Sequence, residues 1–152
     1  GRIVEHWDVI DAYPKEIGEI DPIYGEVSLT DFDRTEENKK IVRRFFVDVL
    51  QNKEWDQFDK YVSDDLIQHN QEIAQGGPSF KQYLLENDAS VDFVFKVIGQ
   101  GNLVVAYSKM WIANQDYAIM QLFRLEDGKI VEHWDNKEVM PKKSELTNLG
   151  KF

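Results

Sequence analysis

Between Ile41 and Leu50 the apolar residues Ile41, Val42, Phe45, Phe46, Val49 and Leu50 recur three and four positions apart, and Lys39, Lys40, Arg43 and Arg44 fall off that stripe. The spacing predicts a helix with one buried face, capped at Asp33 or Thr35 and running to Gln51, with Glu36 and Glu37 favourably placed in its first turn. A shorter helix is predicted over 54–62, burying Trp55, Phe58, Tyr61 and Val62. It leads into a short strand, Leu66–Asn70. Gly76-Gly77-Pro78 opens a third helix, with Phe80, Tyr83 and Leu84 on its apolar side. From Val91 the period changes to two, as Val91, Phe93, Phe95 and Val97 alternate with Asp92, Val94, Lys96 and Ile98. Further strands are predicted over 103–113, 117–125 and 130–136, separated by turn-forming residues at 99–102, 114–116 and 127–128. Helices followed by antiparallel strands define an α+β fold with helices on one face of a curled sheet.

The turn Asp127-Gly128 fits a two-residue hairpin, whose central residues both need positive φ. An uninterrupted ladder from that turn puts Leu125, Phe123, Gln121, Ile130, Glu132 and Trp134 on one face. The other face then carries Arg124, Leu122, Met120, Val131, His133 and Asp135. A carboxylate and an amide beside an indole and a phenyl make a candidate pocket wall. Whether Tyr107 joins the Phe123 face depends on the length of the turn at 114–116.

The octet from Gly128 to Asp135 is repeated from Gly1 to Asp8, with Arg2 in place of Lys129, and Pro14 matches Pro141 at the same offset. One sheet cannot use both copies as its last strand. The first copy reads either as the tail of a preceding related domain or as a strand that competes for the same slot and is able to exchange between chains. The expected organisation is an acidic leader over 1–33, whose stretch 9–33 has no sustained periodicity and reads as a linker or wrapping arm, a domain over 34–141 and a tail over 142–152 anchored by Leu146, Leu149 and Phe152. A short extended piece is expected around 23–29.

Charge sharpens this division. Of the net charge of −10, residues 1–37 carry −8 (11 acids, 3 bases) and residues 38–152 carry −2 (17 acids, 15 bases). The acidity disfavours nucleic acid and anionic membranes as partners. With no cysteine in the 152 residues, disulfides, thiolate catalysis and thiolate metal sites are excluded. No apolar run of membrane-spanning length exists, and a cytoplasmic protein is expected.

His69, at the end of a short strand and just before the flexible Gly76-Gly77, is the first candidate for proton transfer, because imidazole titrates near neutrality. His133 and Asp135, two apart on one strand face, form a possible second site. Three histidines without a helix-borne His-x-x-x-His give no expected metal site, and no phosphate loop, nucleophile elbow or dinucleotide fingerprint is present. No cofactor is expected.

Residues 38–46, Leu66–Asn70 and above all Leu122–Asp135 resemble the SnoaL-like proteins of the cone-shaped superfamily that includes ketosteroid isomerase and nuclear transport factor 2. The resemblance spans 36–141 and is strongest to the subgroup named for predicted aldol-condensation activity. It implies a cone-shaped roll of three N-terminal helices packed on a strongly curved, mostly antiparallel sheet, with a pocket between them. It also implies a homodimer through the sheet, to which the repeated octet adds exchange of the N-terminal strand as another route, and cofactor-free acid–base chemistry on an enolisable carbonyl of cyclase, aldol or isomerase type. His69 and Glu132 would be the catalytic pair, and Asn70, Tyr107, Gln121, Phe123 and Trp134 would hold the substrate. Three departures stand out: Gln71 follows His69-Asn70 where the subgroup has proline, Tyr107 or Ser108 stands where a histidine is common, and Gln121 replaces an acid. They leave open a second reading, a non-catalytic ligand-binding or dimerisation module that has lost its acid–base set.

Overall fold

The computed structural model describes residues 1–145 and 150–152, so the expected anchors Leu146 and Leu149 lie outside the described residues. Helix α1 spans Thr35–Arg44 and continues as a wider π-helical stretch, Phe45–Gln51. The wider turn lets two adjacent rings, Phe45 and Phe46, face inward together, and both are fully buried with Val42 and Val49. Neither expected cap closes the start of the helix. A single 3₁₀ turn, Phe32–Arg34, leads in, and the Thr35 hydroxyl donates to the Phe32 carbonyl and accepts from Gly101 N–H. A second 3₁₀ turn, Trp55–Gln57, runs into α2, Phe58–Tyr61, and Val62 already belongs to strand β1, Val62–Gln68. Helix α3 is Gly77–Glu86, with Pro78 in its first turn.

Strands β2 (Ser90–Gln100), β3 (Leu103–Ile112), β4 (Gln115–Glu126) and β5 (Lys129–Val139) form an antiparallel meander, and β1 adds to the far edge of β5 in parallel. The sheet order is β1-β5-β4-β3-β2. Ala113 and Asn114 both have positive φ and close β3 to β4 as a two-residue turn. Tyr107 is therefore opposite Met120 and off the Phe123 face.

The β4–β5 hairpin turns at Asp127 (φ 48°) and Gly128 (φ 80°), as expected, but its ladder does not run on unbroken. Leu125 faces Ile130 and Arg124 faces Glu132, leaving Val131 as an extra, bulged residue. The bulge exchanges the faces of everything beyond it. Phe123 is opposite His133, Gln121 opposite Asp135, and Leu122 opposite Trp134. The expectation that Glu132 and Trp134 share a face with Phe123 and Gln121 is thus corrected: they stand on the other face, with Arg124. Helices α1 and α3 and the π-helical stretch cover the Phe123 face, where Phe45, Phe46, Phe80 and Phe123 pack ring to ring. Each buried phenyl there contributes about 2–3 kcal/mol through area removed from water.

The opposite face is covered by the chain's own ends. The N-terminal octet forms no strand. Its Trp7 rests edge-on against Phe95 while Ile3 and Val4 are exposed. Phe152 packs on Tyr107, Phe95 and Phe93. No strand forms around residues 23–29. That stretch is an irregular arm laid over β5.

Candidate functional site

Because β1 ends at Gln68, the edge of β5 beyond His133 has no strand beside it. The Asn70–Glu72 loop and the leader arm occupy that space. The arm supplies partners for the end of β5: Ile10 N–H donates to Glu138 Oε2 at 2.9 Å, and Lys137 N–H donates to Asp11 Oδ2 at 3.1 Å. Farther along, Gly18 N–H donates to Gln71 Oε1 at 2.7 Å, and Gln71 Nε2 donates to the Ile20 carbonyl at 3.0 Å.

Two polar clusters lie on either side of β5. The first is on the outer face. His69 Nε2 is 2.8 Å from Glu132 Oε1, and Arg124 Nε donates to Glu132 Oε2 at 2.5 Å. Arg124 also pairs with Glu126. His69 and Glu132 are both buried, and the His69 ring stacks on Trp134 with centroids 4.3 Å apart. His69 Nδ1 is 2.5 Å from the Asp21 carbonyl of the arm. A carbonyl only accepts, so Nδ1 carries a proton, and one more proton lies between Nε2 and Glu132. Both ring nitrogens are occupied. Gly25 of the arm sits directly on this cluster: a Cβ there would overlap Trp134 Cζ2 and lie 3.0 Å from His69 Cε1.

The second cluster is on the helix side. His133 is sandwiched between Phe80 and Phe123, at 4.8 and 5.0 Å between centroids. Its Nδ1 and Nε2 each lie 3.1 Å from an amide oxygen, of Gln68 and Gln121 respectively. Burial, with the nearby charge of His69, pushes its pKa down to about 3. A neutral imidazole donates to one amide oxygen, and the other amide is matched by turning its NH₂ toward the ring. His133 is thus a packed core imidazole.

A cavity of about 680 Å³, reached by His69 of the first cluster, opens at the free end of β5. The domain contributes His69, Asn70, Glu72, Asp135 and Lys137, and the arm contributes Tyr13, Pro14, Pro22 and Ile23. Asn70 Nδ2 donates to both carboxyl oxygens of Asp135, at 2.8 and 3.0 Å. Burial nevertheless raises the Asp135 pKa to about 6.

Of the residues singled out in the sequence, His69, Asn70 and Asp135 therefore meet at one cavity wall, and Glu132 and Trp134 support His69 from behind. Gln121, Phe123 and His133 lie in the core. Tyr107 is turned to the outer face, where its hydroxyl donates to the Lys151 carbonyl at 2.7 Å. Sequence reasoning read residues 9–33 as a linker or wrapping arm but missed Arg124 and the arm's contacts with His69, Gln71 and Trp134. A lone arginine inside the apolar run Met120–Leu125 was a usable signal for a buried ion pair. Among the described residues, no group of three or more His, Asp or Glu side chains is arranged to hold a metal, and no helix is long and apolar enough to cross a membrane.

An open, mostly antiparallel sheet backed by helices, with a cavity of mixed polar and apolar lining at the end of β5, defines an α+β domain. The chain belongs to the SnoaL-like domain family, whose model matches residues 42–133. Solved structures agree on the fold. An NTF2-like protein of unknown function from Mesorhizobium loti is 21% identical with a TM-score of 0.59, the match covering 74% of this chain and 99% of that one. An LEH-like epoxide hydrolase from M. tuberculosis is 20% identical (TM-score 0.57, 69% and 85% covered). A SnoaL-like polyketide cyclase from Agrobacterium tumefaciens is 13% identical (TM-score 0.55, 66% and 91% covered). Among curated proteins none matches this chain.

Proposed function

We propose that this chain is a cofactor-free acid–base enzyme that moves a proton on a small enolisable carbonyl compound bound in the cavity at the end of β5. The observation that carries this reading is the convergence of His69, Asn70 and Asp135 on one cavity wall. A carboxyl whose pKa is raised to about 6 is poised to take and return a proton near neutrality. Asp135 is accordingly the proton carrier. Asn70 Nδ2 orients it and, when turned to the ligand, donates to the developing enolate oxygen. His69, backed by Glu132 and Arg124, is the second proton carrier. The chemistry named for two of the structural neighbours, epoxide hydrolysis and polyketide cyclisation, is compatible with a small-molecule pocket in this fold.

A second reading, a ligand-holding or dimerising module without chemistry, draws support from the occupation of both His69 nitrogens and from the aromatic filling of the space between sheet and helices. The two part in one experiment. Native mass spectrometry and a thermal-shift panel of ketones and β-keto acids identify a binder, and proton NMR in D₂O follows exchange of its α-protons. Exchange that the protein accelerates, and that Asp135→Asn loses, supports the enzyme. Binding without exchange supports the module.

A further inference from the structure

The arm over residues 11–26 lies outside the stretch 42–133 matched by the family, yet it roofs the cavity. It is seated at successive points: Asp11 on the Lys137 amide, Gly18 and Ile20 on Gln71, the Asp21 carbonyl on His69, and Gly25 against Trp134. The Asp21 side chain fixes the local turn, its Oδ1 accepting the Ile23 and Tyr24 N–H groups at 2.8 and 2.9 Å. Gly25 has no special backbone angle. Its lack of a side chain is what lets the arm close onto Trp134 and His69.

We propose that residues 11–26 are a working part of the site, a latch that both controls His69 and selects the ligand. Seated, the Asp21 carbonyl holds Nδ1 while Glu132 holds Nε2, so the imidazole has no free position for a ligand proton. Lifted, the arm releases Nδ1 and opens the cavity. With a ligand in the cavity the arm rests on the ligand: Tyr13, Pro14, Pro22 and Ile23 contact the apolar end of the carbonyl compound, Asn70 and Asp135 contact its polar end, and Nδ1 of His69 stays free of the Asp21 carbonyl. Ligand choice is therefore set by a segment that relatives need not share. The ligand class rests on the function proposed above, whereas the latch does not.

The chain's three histidines provide the test. His6 is exposed, His69 lies under the arm and His133 lies in the core. Diethyl pyrocarbonate is applied to the full chain without any ligand, and modification is read at each histidine by peptide mass spectrometry. In the wild type, His6 reacts while His69 and His133 are protected. In Gly25→Val, whose side chain the seated arm cannot accommodate, His69 reacts about tenfold faster or more, and His133 stays protected. If valine also exposes His133, Gln71→Ala replaces it, removing the hydrogen bonds to Gly18 and Ile20 without added bulk. A wild-type His69 as reactive as His6 overturns the latch, since the arm would not be seated. So does a His69 equally protected in wild type and variant, since the domain alone would bury it. Because no ligand is present, this result stands or falls apart from the α-proton exchange.

Discussion

His133 ties the stability of this fold to pH with a sign that can be worked out. Its imidazole is held at about 3 by burial between Phe80 and Phe123, against an ordinary value of 6.5. The folded pKa lies below the unfolded one, so the stabilisation is complete above 6.5 and is lost as pH falls toward 3, where unfolding takes up a proton. Between about pH 8 and about pH 5 the linkage relation gives a loss of roughly 2 kcal/mol. Asp135, two residues along the same face, works the other way: its folded pKa is raised, so its contribution is present in acid and fades as pH rises through about 6. A wild-type profile alone mixes the two, and the comparison must be with His133→Gln, which keeps Asp135 and a polar partner for Gln68 and Gln121. Urea unfolding at the two pH values is the assay. With a slope of about 1.5 kcal/mol per molar for a chain of this size, the wild-type midpoint should fall by about 1.3 M more than that of the variant. Parallel midpoints would refute the reasoning, because His133 would then be reaching solvent in the native state.

Three further outcomes follow from the same geometry. Arg124→Met strips Glu132 of its cation inside a buried cluster and should cost about 3–5 kcal/mol in urea unfolding; a loss under about 1 kcal/mol would mean that Glu132 finds water. The rate of ligand α-proton exchange should rise with pH through about 6 as Asp135 ionises. His133→Gln should keep that inflection, and an inflection surviving in Asp135→Asn would remove Asp135 from the reaction. Phe123→Ala should destabilise by about 3–5 kcal/mol, because Phe45, Phe46 and His133 all pack on that ring. A milder loss would show that the neighbouring rings collapse into the space.

Much of this architecture is legible in the residues. The stripe from Ile41 to Leu50 gives α1 and its buried face, and Asp127-Gly128 gives the last hairpin, because both signals are local and periodic. What fails is parity. Neither Ile130 nor Val131 carries a glycine or other mark of a bulge, so the ladder is read as unbroken and Glu132 and Trp134 land on the wrong face. His69 nevertheless meets Glu132, since β1 pairs with β5 in parallel and brings Gln68 beside His133, a long-range pairing that periodicity cannot reveal. The seat of the arm is hidden for a related reason. Its hold on the domain comes from backbone groups such as the Asp21 carbonyl and from the missing side chain of Gly25, and neither leaves a hydrophobic pattern.

The bulge at Val131 has a consequence for how such a strand changes over generations. In the series Glu132, His133, Trp134, Asp135 the first and third side chains face the arm, while His133 enters the aromatic core and Asp135, next on its face, reaches the cavity, and a single extra residue decides which pair goes where. Deleting Val131 would bring a carboxylate and an indole among the phenylalanines and send the imidazole outward, with every residue of the motif retained. On this scaffold a one-codon deletion rewrites the chemistry of both faces together, a larger step than any substitution within the motif.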